Sequence, residues 1–256
     1  MAGATLAALA ALAMVSAGIS AVIGMAGGIT LLSGLLLVIP RATAVPIHGV
    51  VQLASNSTRL VVFLKFVRWR IVLWFGIAAA PGAALGATVV TAVPDAWLTL
   101  GIGVFILLAT HLPKAKRPRG GDIKRAWIFA PVGFAAGFLG MLVGATGPFI
   151  APFFLRENVL KEELIATKAF CQAFVHLWKL PAFMAIGFDY GEHLPALAVL
   201  VCMVIVGTIV GKRLLNRVSE RLFLVLIKTA LTVIALKLLA FDALPALFSA
   251  GPPGAS

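Results

Sequence analysis

Apolar runs recur along the chain from Ala4 to Ala240 and are separated by short charged or proline-containing breaks. Their lengths lie near the roughly 20 residues that carry an α-helix across a bilayer. They show no period-2 alternation, so the pattern predicts an all-α bundle rather than an outer-membrane barrel. Helices are expected over 44–64, 71–92 and 96–112, and again over 164–186, 194–211 and 222–241. Each triplet follows an apolar segment interrupted by glycine: residues 4–39 around "GMAGG" (Gly24 to Gly28) and residues 126–155 around "GATGP" (Gly144 to Pro148).

Composition agrees with that pattern. The 256 residues are 61% hydrophobic and only 12% charged, with a mean hydropathy of +1.08, a balance that belongs to an integral membrane protein. The formal charge of +12 is concentrated in three short stretches between apolar runs, at Lys65–Arg70, Lys114–Arg125 and Lys212–Arg221. That distribution fits the positive-inside bias of cytoplasmic loops and argues against a nucleic-acid partner. Cys171 and Cys202 stand alone in apolar segments without metal-ligand spacing and are expected to be small core residues. The first 24 residues carry no Lys or Arg and run straight into the first glycine cluster, so they are expected to belong to the fold.

The two halves repeat each other. A shift of 120 residues aligns the glycine clusters and places His48 on Lys168, Gln52 on Gln172, Asn56 on His176 and Arg59 on Lys179; a shift of 125 places Gly82 on Gly207 and Gly86 on Gly211. The loop charges invert between the halves. Loop 65–70 and linker 113–125 are basic and assigned inside, "VPDA" (93–96) outside, the uncharged-to-acidic "FDYGEH" (188–193) outside, and 212–221 inside. Segment 126–155 must then enter and leave on one face. A hairpin of two partial helices meets that requirement, and by symmetry so does 4–39; a single tilted span whose glycines serve close packing is the alternative. The expected organisation is a first transmembrane repeat at 1–112, a basic cytoplasmic linker at 113–125, a second repeat at 126–241 and a short tail at 242–256.

The helices after the turns carry unusual chemistry for a lipid environment. His48, Gln52, Ser55 and Arg59 fall within an arc of about 60° at 100° per residue, with Asn56 at its edge, and Lys168, Gln172, His176 and Lys179 trace the same arc. Ionisable residues inside a membrane point to function, although Lys168, Lys179 and Arg59 lie close enough to the helix ends to snorkel, and Lys228 and Lys237 are expected to do so. All nine carboxylates fall in loops or at predicted helix ends. Cations, amides, hydroxyls and helix N-termini remain, and these favour an anion with several oxygen acceptors. The candidate substrate-binding residues are Gly27, Gly28, Thr30, His48, Gln52, Asn56, Arg59, Thr146, Gly147, Lys168, Gln172 and His176.

The stretches "GMAGGITLLSGLLLVIP" and "GATGPFIAPFFL", the latter followed by "EELIATKAFCQAF", resemble the sulfite/sulfonate exporter family of the TauE/SafE type, whose members have two homologous halves that each open on a glycine-rich turn. Gly24, Gly27, Gly28, Gly144, Gly147 and Pro148 match the family turns; Ala26 and Thr146 stand where glycine is common. The resemblance implies transport of small organic or sulfur oxyanions across the inner membrane. The expected function is therefore a multi-pass secondary transporter, an exporter working by alternating access, with an anion channel or an importer of a related anion as alternatives. No buried carboxylate pair, HExxH or GxSxG suggests an enzyme, and no cofactor or metal is expected. The implied partners are the lipid bilayer and a small anion.

Overall fold

A computed structural model describes residues 3–24, 26–90, 95–111, 126–156 and 159–249. In the first half these form α1 (Gly3–Ile23), α2 (Gly27–Leu36), α3 (Arg41–Phe63), α4 (Trp69–Val89) and α5 (Asp95–His111). In the second half they form α6 (Phe129–Val143, led by a 3-10 turn at Ala126–Ile128), α7 (Gly147–Arg156), α8 (Lys161–Ala185), α9 (Leu194–Leu215) and α10 (Glu220–Lys237). A π turn at Leu238–Ala243 joins α10 to a last short helix, α11 (Leu244–Ser249). Helical structure thus runs on past the expected end at 241, and Asp242 sits inside that continuation rather than in a loop. The basic linker 113–125, the first two residues of the 93–96 loop and residues 250–256 lie outside the described residues.

Among the described residues five segments are long and apolar enough to cross a membrane: Gly3–Ile23, Trp69–Val89, Ala126–Val143, Gly191–Leu215 and Arg221–Ala246. The helices α3 and α8, at 23 and 25 residues, have the length but carry the polar arcs. Burial explains how they are tolerated. They pack against each other in the middle of the bundle, while exposed apolar side chains such as Leu73, Ile77, Val210 and Val233 cover the outer helices. Cys171 is buried as expected, whereas Cys202 faces outward from α9.

The packing repeats along with the sequence. Helix α1 lies along α9, and α6 along α4; α3 touches α9, and α8 touches α4. The α1–α9 contact brings Gly207 onto the Met14 carbonyl and Gly211 onto Gly18 and Ala21. The α4–α6 contact brings Gly82 onto the Phe134 carbonyl and Gly86 onto Phe138 and Met141. Shifts of 120 and 125 residues carry one set of contacts onto the other. Meanwhile α3 and α8 run antiparallel. Gly49 lies beside Lys179 and Leu180. Beyond the other end of α3, the Arg68 N–H donates to Thr167 Oγ1 (3.0 Å) and the Arg68 guanidinium pairs with Glu163 (2.6 Å).

Small residues make the parallel contacts close enough for backbones to touch, which is how helices associate where lipid is as apolar as their side chains. A Cβ on Gly133 would collide with the Phe75 carbonyl oxygen, and one on Gly137 with that of Ala79. Gly137→Val is therefore expected to destabilise the bundle by about 3 kcal/mol or more, read as a lower unfolding temperature in detergent. An equal change at the outward-facing Gly101, where a Cβ meets nothing, should be close to neutral.

The glycine clusters break the helices where the sequence places them. Gly24 and Gly144 close α1 and α6 with φ of 80° and 86°, a conformation that costs a side-chain-bearing residue about 1–2 kcal/mol. Helix α2 then folds back on α1, with Gly27 against Ser16 and Gly34 against Leu12. The limbs are unequal, however. Each second limb has 10 residues, about 15 Å, or half the hydrocarbon thickness. The first limbs are longer, 21 residues in α1 and 15 in α6, and their small-residue faces pack against α9 and α4.

Candidate functional site

Two features of the break set up the site. Each of α2 and α7 begins afresh inside the bundle, so its first N–H groups have no intrahelical partner and the positive end of its dipole points inward. Each of α1 and α6 ends there, leaving carbonyls with the opposite polarity. The α8 lysines meet those carbonyls. Lys168 Nζ donates to the Gly24 carbonyl oxygen (2.5 Å) and Lys179 Nζ to that of Gly144 (3.0 Å), so the two repeat-related turns are held by one helix.

The α3 face holds the first turn from the other side. His48 Nε2 donates to the Gly28 carbonyl oxygen (2.8 Å), and Arg59 Nη1 reaches that of Ser20 (3.4 Å). Arg59 Nη2 also donates to Asn56 Oδ1 (2.8 Å), while Asn56 Nδ2 donates to the Gln52 carbonyl oxygen (2.7 Å). Lys168 Nζ makes a second bond, to Gln172 Oε1 (2.9 Å). The His48 and His176 rings meet edge to face with centroids 5.7 Å apart. Gln52 lies against Gly28 and Gln172 against Gly147, so each glutamine meets a glycine in the first turn of α2 or α7.

All of this is buried: Arg59 is 2% exposed, and Lys168 and Lys179 are fully enclosed. Snorkelling is therefore not what these three long side chains do. Their hydrogen bonds go to carbonyl, amide and hydroxyl oxygens, and among the described residues no carboxylate is buried with them. Burying a charge without a counter-ion costs several kcal/mol, so an anion beside these three basic side chains would offset a cost that no buried carboxylate among the described residues offsets. By contrast Lys237, another expected snorkeller, pairs with Asp242 (2.5 Å) near the end of α10.

At the centre lies a cavity of about 10 Å³, room for about one water. His48, Gln52 and Arg59 line it from α3, and Gln172 and His176 from α8. Gly28 and Gly147 line it from the starts of α2 and α7. Two buried ring nitrogens, His48 Nδ1 and His176 Nδ1, have no hydrogen-bond partner, and neither does Thr146 Oγ1. Amide donors, imidazoles, a guanidinium and two helix N-termini converge on a space with no acidic group, an arrangement that can coordinate oxyanion oxygens from several directions.

A family model described as "Sulfite exporter TauE/SafE" matches residues 9–238. The chain belongs to this family. It is thus a multi-pass membrane protein of a transporter family. No curated protein and no solved structure matches it significantly.

In this TauE/SafE protein seven of the sequence-derived candidates line the central cavity: Gly28, His48, Gln52, Arg59, Gly147, Gln172 and His176. The others stand just behind them. Gly27 is pressed on Ser16, Thr30 donates to the Ala26 carbonyl (3.0 Å), Asn56 braces Arg59, and Lys168 braces Gln172. Thr146 is buried in the second turn. Sequence reasoning passed over Ser20, Ile29 and Ala145, which also line the space. Ser20 had a detectable signal, a hydroxyl one helical turn before Gly24 and in line with Ser16; the two apolar residues had none.

Ala26 also lines the cavity and holds φ 67°, ψ −48° at the start of α2. This γ-turn-like backbone is strained for an L-residue. Ala26→Gly is expected to raise stability by about 1 kcal/mol, measurable as a higher unfolding temperature.

Proposed function

We propose that this protein is a secondary transporter that exports a small organic or sulfur oxyanion, such as a sulfonate or sulfite, by alternating access. The observation that carries the proposal is the cluster of three buried basic side chains, Arg59, Lys168 and Lys179, without a buried carboxylate among the described residues. An oxyanion in the central cavity would stabilise their protonated forms and accept from the N-termini of α2 and α7. The cavity is too small for such a ligand as it stands, so binding requires the lining to move, which supports a carrier over an open pore.

The repeat supplies an axis for that movement. The recurring α1–α9 and α6–α4 contacts, with antiparallel α3 and α8 between them, support two inverted-topology repeats of the kind found in transporters that rock around a midplane site. With basic loops inside, an inside-negative potential drives an anion outward by about 2.3 kcal/mol per charge per 100 mV. Export therefore needs no coupled cation.

Counterflow in proteoliposomes tests the mechanism. Unlabelled methanesulfonate on one side is expected to accelerate entry of labelled methanesulfonate from the other. Conductance without such acceleration would make the protein a channel. A pH effect is expected as well. His48 gives its Nε2 proton to Gly28, so its Nδ1 meets an oxyanion only with an added proton. Because methanesulfonate stays ionised throughout, its affinity should rise up to about tenfold per unit as pH falls from 8 to 6, a slope set by one proton. A pH-independent affinity would remove His48 from the contacts.

A further inference from the structure

A second cavity, about 230 Å³ in volume, lies beside the central one and shares Ile29, Ala145 and Pro148 with it as a common wall. Its other surfaces are almost wholly apolar, including Leu32 and Leu36 of α2, Ile106 of α5, Leu142 of α6 and Phe149 of α7. Polar atoms come from Ser33 and, on the α10 side, from the Lys237–Asp242 pair. That pair brackets the π turn, so α10 is locally unwound where it borders the cavity. π turns inside helices are frequent at functional sites.

An apolar cavity of about 150 Å³ is enough to hold benzene, so this one has room for a ring or a short alkyl chain. The anion site lies directly behind the shared wall. We infer that the second cavity receives the apolar body of the transported anion, and that the substrate class is an organic sulfonate or carboxylate with a ring-sized or short-alkyl body rather than an inorganic oxyanion. The inference rests on the anion-transport reading. What selects this occupant over a lipid chain is adjacency: Ile29 and Pro148, in the first turns of α2 and α7, line both cavities, so the movement of the lining that admits an anion also joins the two spaces. A molecule spanning both would put its charge among the Gln and His side chains and its body against Leu32, Ile106 and Phe149. The Lys237–Asp242 pair lines the far side of the chamber.

The test is equilibrium binding to the full-length protein in nanodiscs, comparing methanesulfonate, benzenesulfonate, sulfite and neutral toluene, for wild type and for Ser33→Phe, which fills the chamber. Leu36→Trp, at an exposed position of the rim, is the second filling variant should Ser33→Phe fold poorly. Benzenesulfonate should bind wild type at least about tenfold more tightly than methanesulfonate, as apolar burial requires. Filling the chamber should erase that advantage and leave methanesulfonate within about twofold. Equal binding of the two sulfonates, unaffected by filling, would overturn the inference and leave the anion site standing. Toluene binding as well as benzenesulfonate would also overturn it, marking a pocket for lipid chains. If no anion binds wild type, the transport reading itself fails, and this inference with it.

Discussion

Lys168→Met is expected to reduce anion transport by about 100-fold while the protein stays folded. The ammonium of Lys168 fixes the Gly24 carbonyl and orients Gln172, and hydrogen bonds to charged groups contribute about 1.5–3 kcal/mol, the upper end of which is roughly 100-fold. In the proposed transport cycle its amine also stands behind the anion, through Gln172. Folding should suffer less than transport, because replacing a buried ion by an apolar side chain of similar size is often neutral or stabilising. The measurement is initial efflux from proteoliposomes alongside the unfolding temperature in detergent. Parallel loss of both would make Lys168 a structural cap for α1 and nothing more.

Gln172→Glu should have the opposite effect on stability and the same effect on transport. Gln172 Oε1 already accepts from Lys168 Nζ at 2.9 Å, so a carboxylate there makes an ion pair without moving an atom. It would supply the missing counter-charge permanently. The variant is expected to unfold at a higher temperature than wild type and to transport no anion, since the fixed charge occupies the electrostatic role of the substrate. The sign is what matters: a site built for a cation or for a neutral solute would not become more stable and inactive together.

Much of this architecture was readable in the sequence because membranes simplify the code. Apolar runs of near-constant length located the helices to within a few residues at most ends, and the shifts of 120 and 125 residues read from the sequence together carry the Gly207–Met14 contact onto the Gly82–Phe134 contact. The polar arcs on α3 and α8 were legible since an imidazole or amide in such a helix has no other inexpensive place. What the arcs could not convey was division of labour. Lys168 and Lys179 resemble Gln172 and His176 in spacing, yet the lysines spend their donors on the carbonyls of Gly24 and Gly144 while the other two line the cavity. That depends on where α1 and α6 stop, a matter of tertiary packing. The unequal lengths of the hairpin limbs were hidden for the same reason, as was the π turn that draws Lys237 and Asp242 together.

The central claim is that an anion binds between the two turns and the α3–α8 faces. The most direct measurement is titration calorimetry of methanesulfonate into purified wild type and Gln172→Glu, with unfolding followed on the same samples. Wild type should bind, and at 100 times the dissociation constant should be stabilised by about 2.7 kcal/mol; the variant should be the more stable protein without ligand and give no binding heat. Equal affinity and equal stabilisation of the two proteins would contradict the account and place the anion elsewhere.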